Sequence, residues 1–363
     1  MIIALDVMGG DHAPGCNIVG LAAALRDLPA VARFMLVGDR DTIVQELARH
    51  HLPAEHPRYE IVHASQVVTM GESSTTAIRG KRDSSITVAA NLLKTGRAQA
   101  LVSAGHTGAT VAATVFLCKM LPGIDRPAIA AVFPSPHGPF VMLDVGANVE
   151  CKPTHLAQYA ILGEAYSHFV LKVAKPRVGI LSVGEEDSKG NELTREAFRL
   201  LKQLPINFQG NVEGNKLFSD KVDVIVCDGF VGNAVLKSCE SMAKAMGSML
   251  KDRLYRSPWR RLGAMLSRNA FRELKEMTDH EEYGGAPLLG INGICIKAHG
   301  SASGKAIRNA LRVASEMVDQ RVNDHILEKL NKVDWAGLGA PPPGAPAPAA
   351  AATPAPQSAS PGA

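Results

Sequence analysis

The chain repeats one local pattern along most of its length: a short aliphatic run ends in a polar, glycine-rich turn, and the turn opens a helical stretch. The clearest copy is Val222–Lys237, VDVIVCDGFVGNAVLK, in which a β-branched run reads as a buried strand, Asp228 to Asn233 as a tight turn and Ala234 onward as a helix. Such a junction leaves free backbone N–H groups where an anion can sit, and its glycines let a ligand approach the main chain. Asp228, Gly229, Gly232 and Asn233 are therefore candidate site residues. A single copy is also compatible with a plain strand-to-helix connection. Recurrence carries the argument further. Ile2–Val7 runs into a turn with Asp6, Gly9, Gly10 and Asp11; Ala100–Ser103 into Gly105, Thr107 and Gly108; Phe140–Leu143 into Asp144 to Asn148; and Arg177–Ser182 into Gly184 to Asn191 with Glu186 and Lys189. Ile294–Lys297 runs into Ala298 to Ser303 with His299, after a glycine-rich return through Asn292. In an open parallel sheet the carboxyl ends of the strands lie along one edge, so these turns are expected to converge on one cleft.

The intervening segments fit that architecture. Helical patterns at Asn17–Leu28, Asp41–His51, Ile86–Lys94, Thr154–Lys172 and Glu192–Leu204 alternate with strands at Arg33–Val37, Tyr59–His63 and Ala128–Phe133. That alternation predicts a three-layer α/β/α domain with a mostly parallel sheet. Ala128–Phe133 and Phe140–Leu143 read as consecutive strands around the turn Pro134–Gly138, and Gly210–Asn215 reads as another polar turn. The last helix is expected from Gly304 to Leu330 as one piece. The segment Glu72–Ser85 breaks the rhythm, being hydroxyl-rich and basic. It reads either as a solvated loop or as a mobile one whose Ser74, Arg79, Lys81 and Ser85 contact phosphate.

Six widely spaced cysteines without a C-x-x-C pair fit reduced thiols rather than a disulfide framework or a zinc site. There is no signal-peptide pattern at the start, and the longest apolar stretch, Ala109–Leu121, is too short to span a bilayer. The sequence carries no G-x-G-x-x-G, no G-x-S-x-G elbow and no H-E-x-x-H, so nicotinamide, serine-nucleophile and metalloprotease chemistries have little local support and no metal or cofactor is expected. Cys227 beside Asp228 reads as a buried strand cysteine, since a neighbouring carboxylate raises a thiol pKa. The turns are rich in anion-binding groups and poor in covalent nucleophiles, which suits phosphoryl or acyl chemistry between substrates that react directly.

The net charge of +4 is unevenly placed: Leu250–Glu276 holds eight Lys and Arg against three Asp and Glu, leaving the rest of the chain near −1. No nucleic-acid partner is expected. In the same segment Leu254, Trp259, Leu262, Met265 and Leu266 interleave with the arginines. The segment reads as a dimer-interface hairpin, a docking patch for an acidic protein, or a tip resting on an anionic membrane. Residues 1–333 are expected to form the α/β catalytic domain, with 245–280 as a protruding amphipathic helical segment. Residues 336–363, almost all Ala, Pro, Gly and Ser, are expected to form a disordered tail.

Taken in order, Ala4–Pro14, Glu72–Ser85, Ser103–Ala109, Asp144–Asn148, Gly184–Asn191, Asp228–Asn233 and Gly285–Gly300 resemble the bacterial phosphate acyltransferases of phospholipid synthesis, over about Met1 to Leu330. The resemblance implies acyl transfer from acyl carrier protein to inorganic phosphate, and a fold similar to isocitrate and isopropylmalate dehydrogenases and to phosphotransacetylases. It further implies a homodimer peripheral to membranes, a membrane glycerol 3-phosphate acyltransferase that uses the product, and catalytic roles at the positions of Lys189 and Asn233. A phosphotransacetylase-like enzyme using coenzyme A thioesters is the alternative, and a non-catalytic membrane-recruited scaffold is a third reading. The carboxylates Asp6, Asp11, Asp144 and Asp228 repel phosphate, so they are expected to orient Lys189, Arg79 or Lys81, or to bind backbone N–H groups.

Overall fold

The computed structural model describes residues 1–338 apart from 70, 74–77, 220–221 and 279, and the side chains among them except those of 275, 276, 278 and 280. Eleven strands form one sheet: β1 (Ile2–Asp6), β2 (Arg33–Gly38), β3 (Tyr59–His63), β4 (Ala100–Ser103), β5 (Ala128–Phe133), β6 (Phe140–Leu143), β7 (Arg177–Ser182), β8 (Asn207–Glu213), β9 (Val224–Val226), β10 (Ala286–Leu289) and β11 (Ile294–Lys297). Their order is β3-β2-β1-β4-β11-β10-β5-β6-β9-β7-β8. The helices are α1 (Gly15–Asp27), α2 (Arg40–Arg49), α3 (Ser85–Lys94), α4 (Thr107–Cys118), α5 (Pro153–Phe169), α6 (Glu192–Leu201), α7 (Gly229–Tyr255), α8 (Pro258–Leu266), α9 (Arg268–Thr278), α10 (Gly304–Asp319) and α11 (Val322–Leu330).

Alternate residues of the strands feed two cores, one on each face of the sheet. Ile3, Leu5 and Val7 belong to the continuous core that also takes in α1, α2, α5, α6, α10 and α11, whereas Ala4, Met35 and Val37 belong to the core beneath α3, α4 and the first turns of α7. Both faces are covered, which is why the strands read as continuous apolar runs. Helix α5 lies wholly inside, with Leu156, Tyr159, Ile161 and Tyr166 among its buried residues on all sides.

The strands are parallel within each half of the sheet, but the halves run in opposite directions. β1, β2, β3, β4 and β11 are mutually parallel, as are β6, β9, β7 and β8. Between them β10 is antiparallel to β11 and to β5, and β5 is antiparallel to β6. The turns therefore do not share a single edge as expected. They leave the sheet in two opposite directions.

Three further expectations are corrected. Gly210–Asn215 is not merely a turn, because Asn207–Glu213 is the edge strand β8; it is only partly buried and carries polar Asn207, Gln209 and Asn211, so it has no hydrophobic run. The expected last helix is two helices, separated at Arg321, whose φ of 48° is left-handed. Trp335 is buried and Leu338 packs against the core, so the ordered body extends past Ala336. The rest of the expected tail, 339–363, lies outside the described residues.

From Met242 onward α7 is exposed on all sides, and α8 likewise. Met242, Met246, Met249 and Leu250 recur at helical spacing, and Trp259, Leu262, Met265 and Leu266 are uncovered, with Leu254 half-buried. No helix among the described residues is long and apolar enough to cross a membrane.

Candidate active site

The two sets of turns meet because the central strands are short. Lys297, the last residue of β11, pairs with Ala286, two residues before the Leu288–Ile129 pair, and Leu143, the last residue of β6, pairs with Ala130. The carboxyl ends of β11 and β6 thus finish at neighbouring levels along β5. On that face of the sheet, α4 and α7 flank the central strands, and a cavity of about 710 Å³ lies there. One wall is apolar, from Ile129, Ala131 and Val132 of β5 and Phe230 and Leu236 of α7. The other parts bring Asp11, Thr107, Lys297 and His299 from one half of the sheet and Gly146, Gly229 and Asn233 from the other.

In the first half, Asp6, Ser103 and Lys297 end three adjacent strands at the same level. Gly9 packs so close to the next turn that a Cβ would lie 2.6 Å from the Gly105 nitrogen, and Gly10 adopts a φ of 111° that favours glycine. Asp11 N donates to Gly300 O at 2.7 Å, tying the first turn to the last. The buried Asp6 carboxylate accepts from Ser103 Oγ at 2.7 Å, while its Oδ1 has no partner among the described residues. Burial pushes its pKa up, opposed by hydrogen bonding and by Lys297. Ser85, buried at the start of α3, borders a small void beside Asp6 and Gly105.

In the second half, Asp144 is a staple for its own turn. Oδ1 accepts from the backbone nitrogens of Ile129, Gly146 and Ala147 at 3.0, 3.1 and 2.9 Å, and Oδ2 from Asn148 N at 2.7 Å. Burial raises its pKa and these N–H groups counter it. Asn148 braces the turn, its amide donating to Tyr159 Oη at 2.9 Å and its carbonyl accepting from Gly229 N at 2.8 Å. Asp228 caps α7 by accepting from Phe230 N and Val231 N at 3.0 and 2.9 Å. These two aspartates thus bind backbone N–H groups, one of the two expected roles. Asn233, one turn into α7, is exposed to the cavity, its side chain 3.6 Å from where a Cβ on Gly146 would sit.

Other candidates lie apart. Lys189 and Glu186 are exposed on the turn after β7, on the same sheet edge as Asn233 but outside the cavity lining. That turn is braced by Asn211 Nδ2 donating to Glu186 O at 2.7 Å and by a Lys202–Asp187 pair. Lys81 is spent within its own loop, donating to Glu72 at 2.7 Å and to Val67 O at 2.8 Å, and beside it the Glu72 carboxyl falls to about 2. Arg79 is exposed outside the cavity, Gly108 lies in the first turn of α4, and Ser74 is outside the described residues. Asn292 precedes β11 and so sits at the opposite end of that strand from His299.

The cavity also holds residues that the sequence reading passed over: Lys237, Tyr283 and above all Lys297. Its available signal was a lysine closing an otherwise apolar strand, Ile294-Cys295-Ile296-Lys297, directly before a glycine turn. Its ammonium donates to Ala104 O at 3.4 Å and to Ala298 O, and burial pulls its pKa down to about 8, against the opposing pull of Cys295, Asp6 and Asp11. No thiol is poised for attack: burial, then Asp228 and Asp144, holds Cys227 well above its usual value, and burial puts Cys151 at about 11. Among the described residues no group of acidic, His and Cys side chains forms a metal site.

A family model described as fatty acid synthesis protein matches residues 1–325. Over 332 residues the chain is 51% identical to a phosphate acyltransferase of Geobacter sp. strain M21, covering 92% of this chain and 93% of that one. A phosphate acyltransferase of Citrifermentans bemidjiense is 50% identical over the same length, with the same coverage. The solved phosphotransacetylase of Streptococcus pyogenes shares the fold with a TM-score of 0.58 at 17% identity, over 88% of this chain and 94% of that one. The chain belongs to the bacterial phosphate acyltransferase family.

Proposed function

We propose that the protein transfers a fatty acyl group from acyl carrier protein to inorganic phosphate, giving an acyl phosphate that a membrane acyltransferase uses to acylate glycerol 3-phosphate. The observation that carries this reading is the two-sided cavity: an apolar wall suited to an acyl chain faces glycine turns and a buried lysine suited to an anion. The raised thiol pKa values of Cys227 and Cys151, which leave little thiolate near neutral pH, support direct attack rather than an acyl-enzyme on either.

A phosphate oxygen attacks the thioester carbonyl carbon, a C–O bond forms, and the C–S bond breaks as the tetrahedral state collapses. The proton of the hydrogen phosphate dianion ends on the departing thiol. A thiolate leaves readily, so the work of the site is positioning and oxyanion stabilisation. Lys189 holds phosphate against the carbonyl, and the Asn233 amide, at the amino end of α7, donates to the oxyanion. Lys189 reaches the reaction from the neighbouring turn of the same sheet edge. The uncovered apolar residues and arginines of α8 contact an anionic membrane surface, which brings the product to its consumer, and the protein acts as a homodimer.

Incubating purified protein with phosphate and either long-chain acyl carrier protein or acyl-coenzyme A tests this. Acyl phosphate should form with the carrier-protein thioester. Turnover with coenzyme A thioesters alone would favour the phosphotransacetylase-like reading, for which the shared fold speaks, and no turnover with either would leave a scaffold.

A further inference from the structure

We propose that Lys297 is a phosphate-binding residue: its ammonium, held in the cavity floor by the carbonyls of Ala104 and Ala298, supplies the charge that takes inorganic phosphate out of water beside the amino end of α4. The inference rests on the phosphate-transfer reading and adds to it a ligand for the second substrate.

Lys297 is the one buried lysine among the described residues, 8% exposed, and it lines the cavity. A buried ammonium is retained only where partners or a ligand repay its desolvation. Two of its three hydrogens reach carbonyl oxygens, and the third has no acceptor among the described residues. The other cations of the cavity are differently placed: Lys237 is half-exposed and paired with Glu240 at 2.9 Å, and the His299 ring is engaged with Ser301.

The surroundings suit an anion in front of the lysine. Thr107 opens α4 at the cavity, and first-turn N–H groups of a helix are not used by the helix itself. Among the described residues only the third of them, that of Ala109, finds an acceptor, the His106 ring at 3.1 Å. Asp6, whose charge helps to keep the lysine protonated, does not line the cavity and so does not face the ligand space; Asp11 does line it, and acts on the ammonium through its charge without a hydrogen bond to it. The lysine therefore governs ground-state phosphate affinity, and Lys189, on the opposite set of turns, governs the transfer step.

The test is a Lys297→Gln variant of the full chain. Calorimetric titration with inorganic phosphate alone should give a Kd at least tenfold weaker than wild type. The KM for phosphate should rise by the same factor, with the KM for the acyl thioester within twofold and kcat at saturating phosphate largely kept. Lys297→Arg, which keeps the charge, should recover part of the affinity. Unchanged phosphate Kd in a folded variant, or a fall in kcat with unchanged phosphate KM, would overturn the assignment. Wild-type protein gives a second route that needs no variant. Phosphate should protect Lys297 from acetic anhydride, read by mass spectrometry, with half-protection at the phosphate Kd, and undiminished labelling at saturating phosphate would equally overturn it. Because both binding measurements omit thioester, absence of acyl transfer would sink the transfer reading without touching this one.

Discussion

Gly232→Ala adds one methyl group where α7 enters the site, and the structure sets what it meets. The new Cβ would lie 1.9 Å from the Asp144 carbonyl oxygen and 2.9 Å from Cys227 Sγ, whereas ordinary contact begins at 3.4 Å. The helix must retreat by roughly 1.5 Å, or the Asp144 turn must. The turn is held by its carboxylate staple and by the Gly229–Asn148 backbone bond, so little of the clash can relax locally. Overpacking of this kind costs about 1–3 kcal/mol, and the rigid backbone on both sides places this case at the upper end. Asn233 follows directly, and a displacement of about 1 Å at a reacting group costs on the order of 10²-fold in rate. The same substitution at Gly247, further along α7 and with nothing within 4 Å of its added Cβ, is the control. There it should stabilise the helix by about 0.5–1 kcal/mol and leave turnover alone. Denaturant melts and steady-state transfer rates on both variants decide the matter. A Gly232→Ala protein as stable and as active as wild type would refute the close packing of α7 against Asp144 and the placement of Asn233 that depends on it.

Lys189→Ala should lower kcat by about 3 kcal/mol of transition-state stabilisation with an unchanged melting curve, since the side chain is exposed; near-normal turnover at saturating phosphate would remove it from the reaction. Asn233→Ala should depress kcat more than it weakens carrier-protein binding, and a rise confined to one KM would make it a ground-state contact. Phosphate KM should climb as pH passes through about 8, where Lys297, faced by Asp6, Asp11, Cys295 and Lys237, loses its proton; Cys295, at about 12, stays neutral there. The linkage to folding has the opposite sign: between about 8 and 10.5 the unfolded chain binds the extra proton, so stability gains with pH while phosphate binding fades, and a flat KM profile from pH 7 to 9.5 would contradict the titration. Leu262→Glu and Leu266→Glu should each weaken salt-sensitive binding to anionic vesicles while the protein stays dimeric and active on soluble carrier protein, and light scattering that showed monomers would assign α8 to the subunit interface instead.

Much of the fold was legible because both faces of the sheet are covered. A strand buried on two sides is a continuous apolar run, and β1, β2, β4, β5, β6 and β9 announce themselves that way. β8 did not, because an edge strand with polar Asn207, Gln209 and Asn211 looks like a loop, and β10 is short and flanked by Gly285 and Gly290. The glycine turns were legible as turns. The roles of their carboxylates were only partly so: Asp144 and Asp228 hold backbone N–H groups, a distinction that depends on which nitrogens the fold brings within 3 Å. Lys297 stayed unread because a lysine ending a strand is ordinarily a solvated one, and only the packing of β4 and α4 beside it makes it buried.

The direction of the strands is where sequence reasoning had the decisive residues and a different conclusion. Pro134–Gly138 is too short for a helical crossover, so β6 must return antiparallel beside β5. Strands joined to that half by a helix then run with β6, as β7 and β8 do. Gly290–Gly293 is a second short turn, and it reverses the chain again so that β11 runs with β1 and β4. Two hairpins thus divide one sheet into two opposed parallel halves, and the strand ends that would have formed a row along one edge instead face each other across β10 and β5. This opposition is what allows a lysine from the end of β11 and an asparagine from the helix after β9 to share one cavity. A single-edge sheet would place its anion-binding turns side by side. Opposed halves place them on either side of one cavity, with the apolar surface of β5 between them.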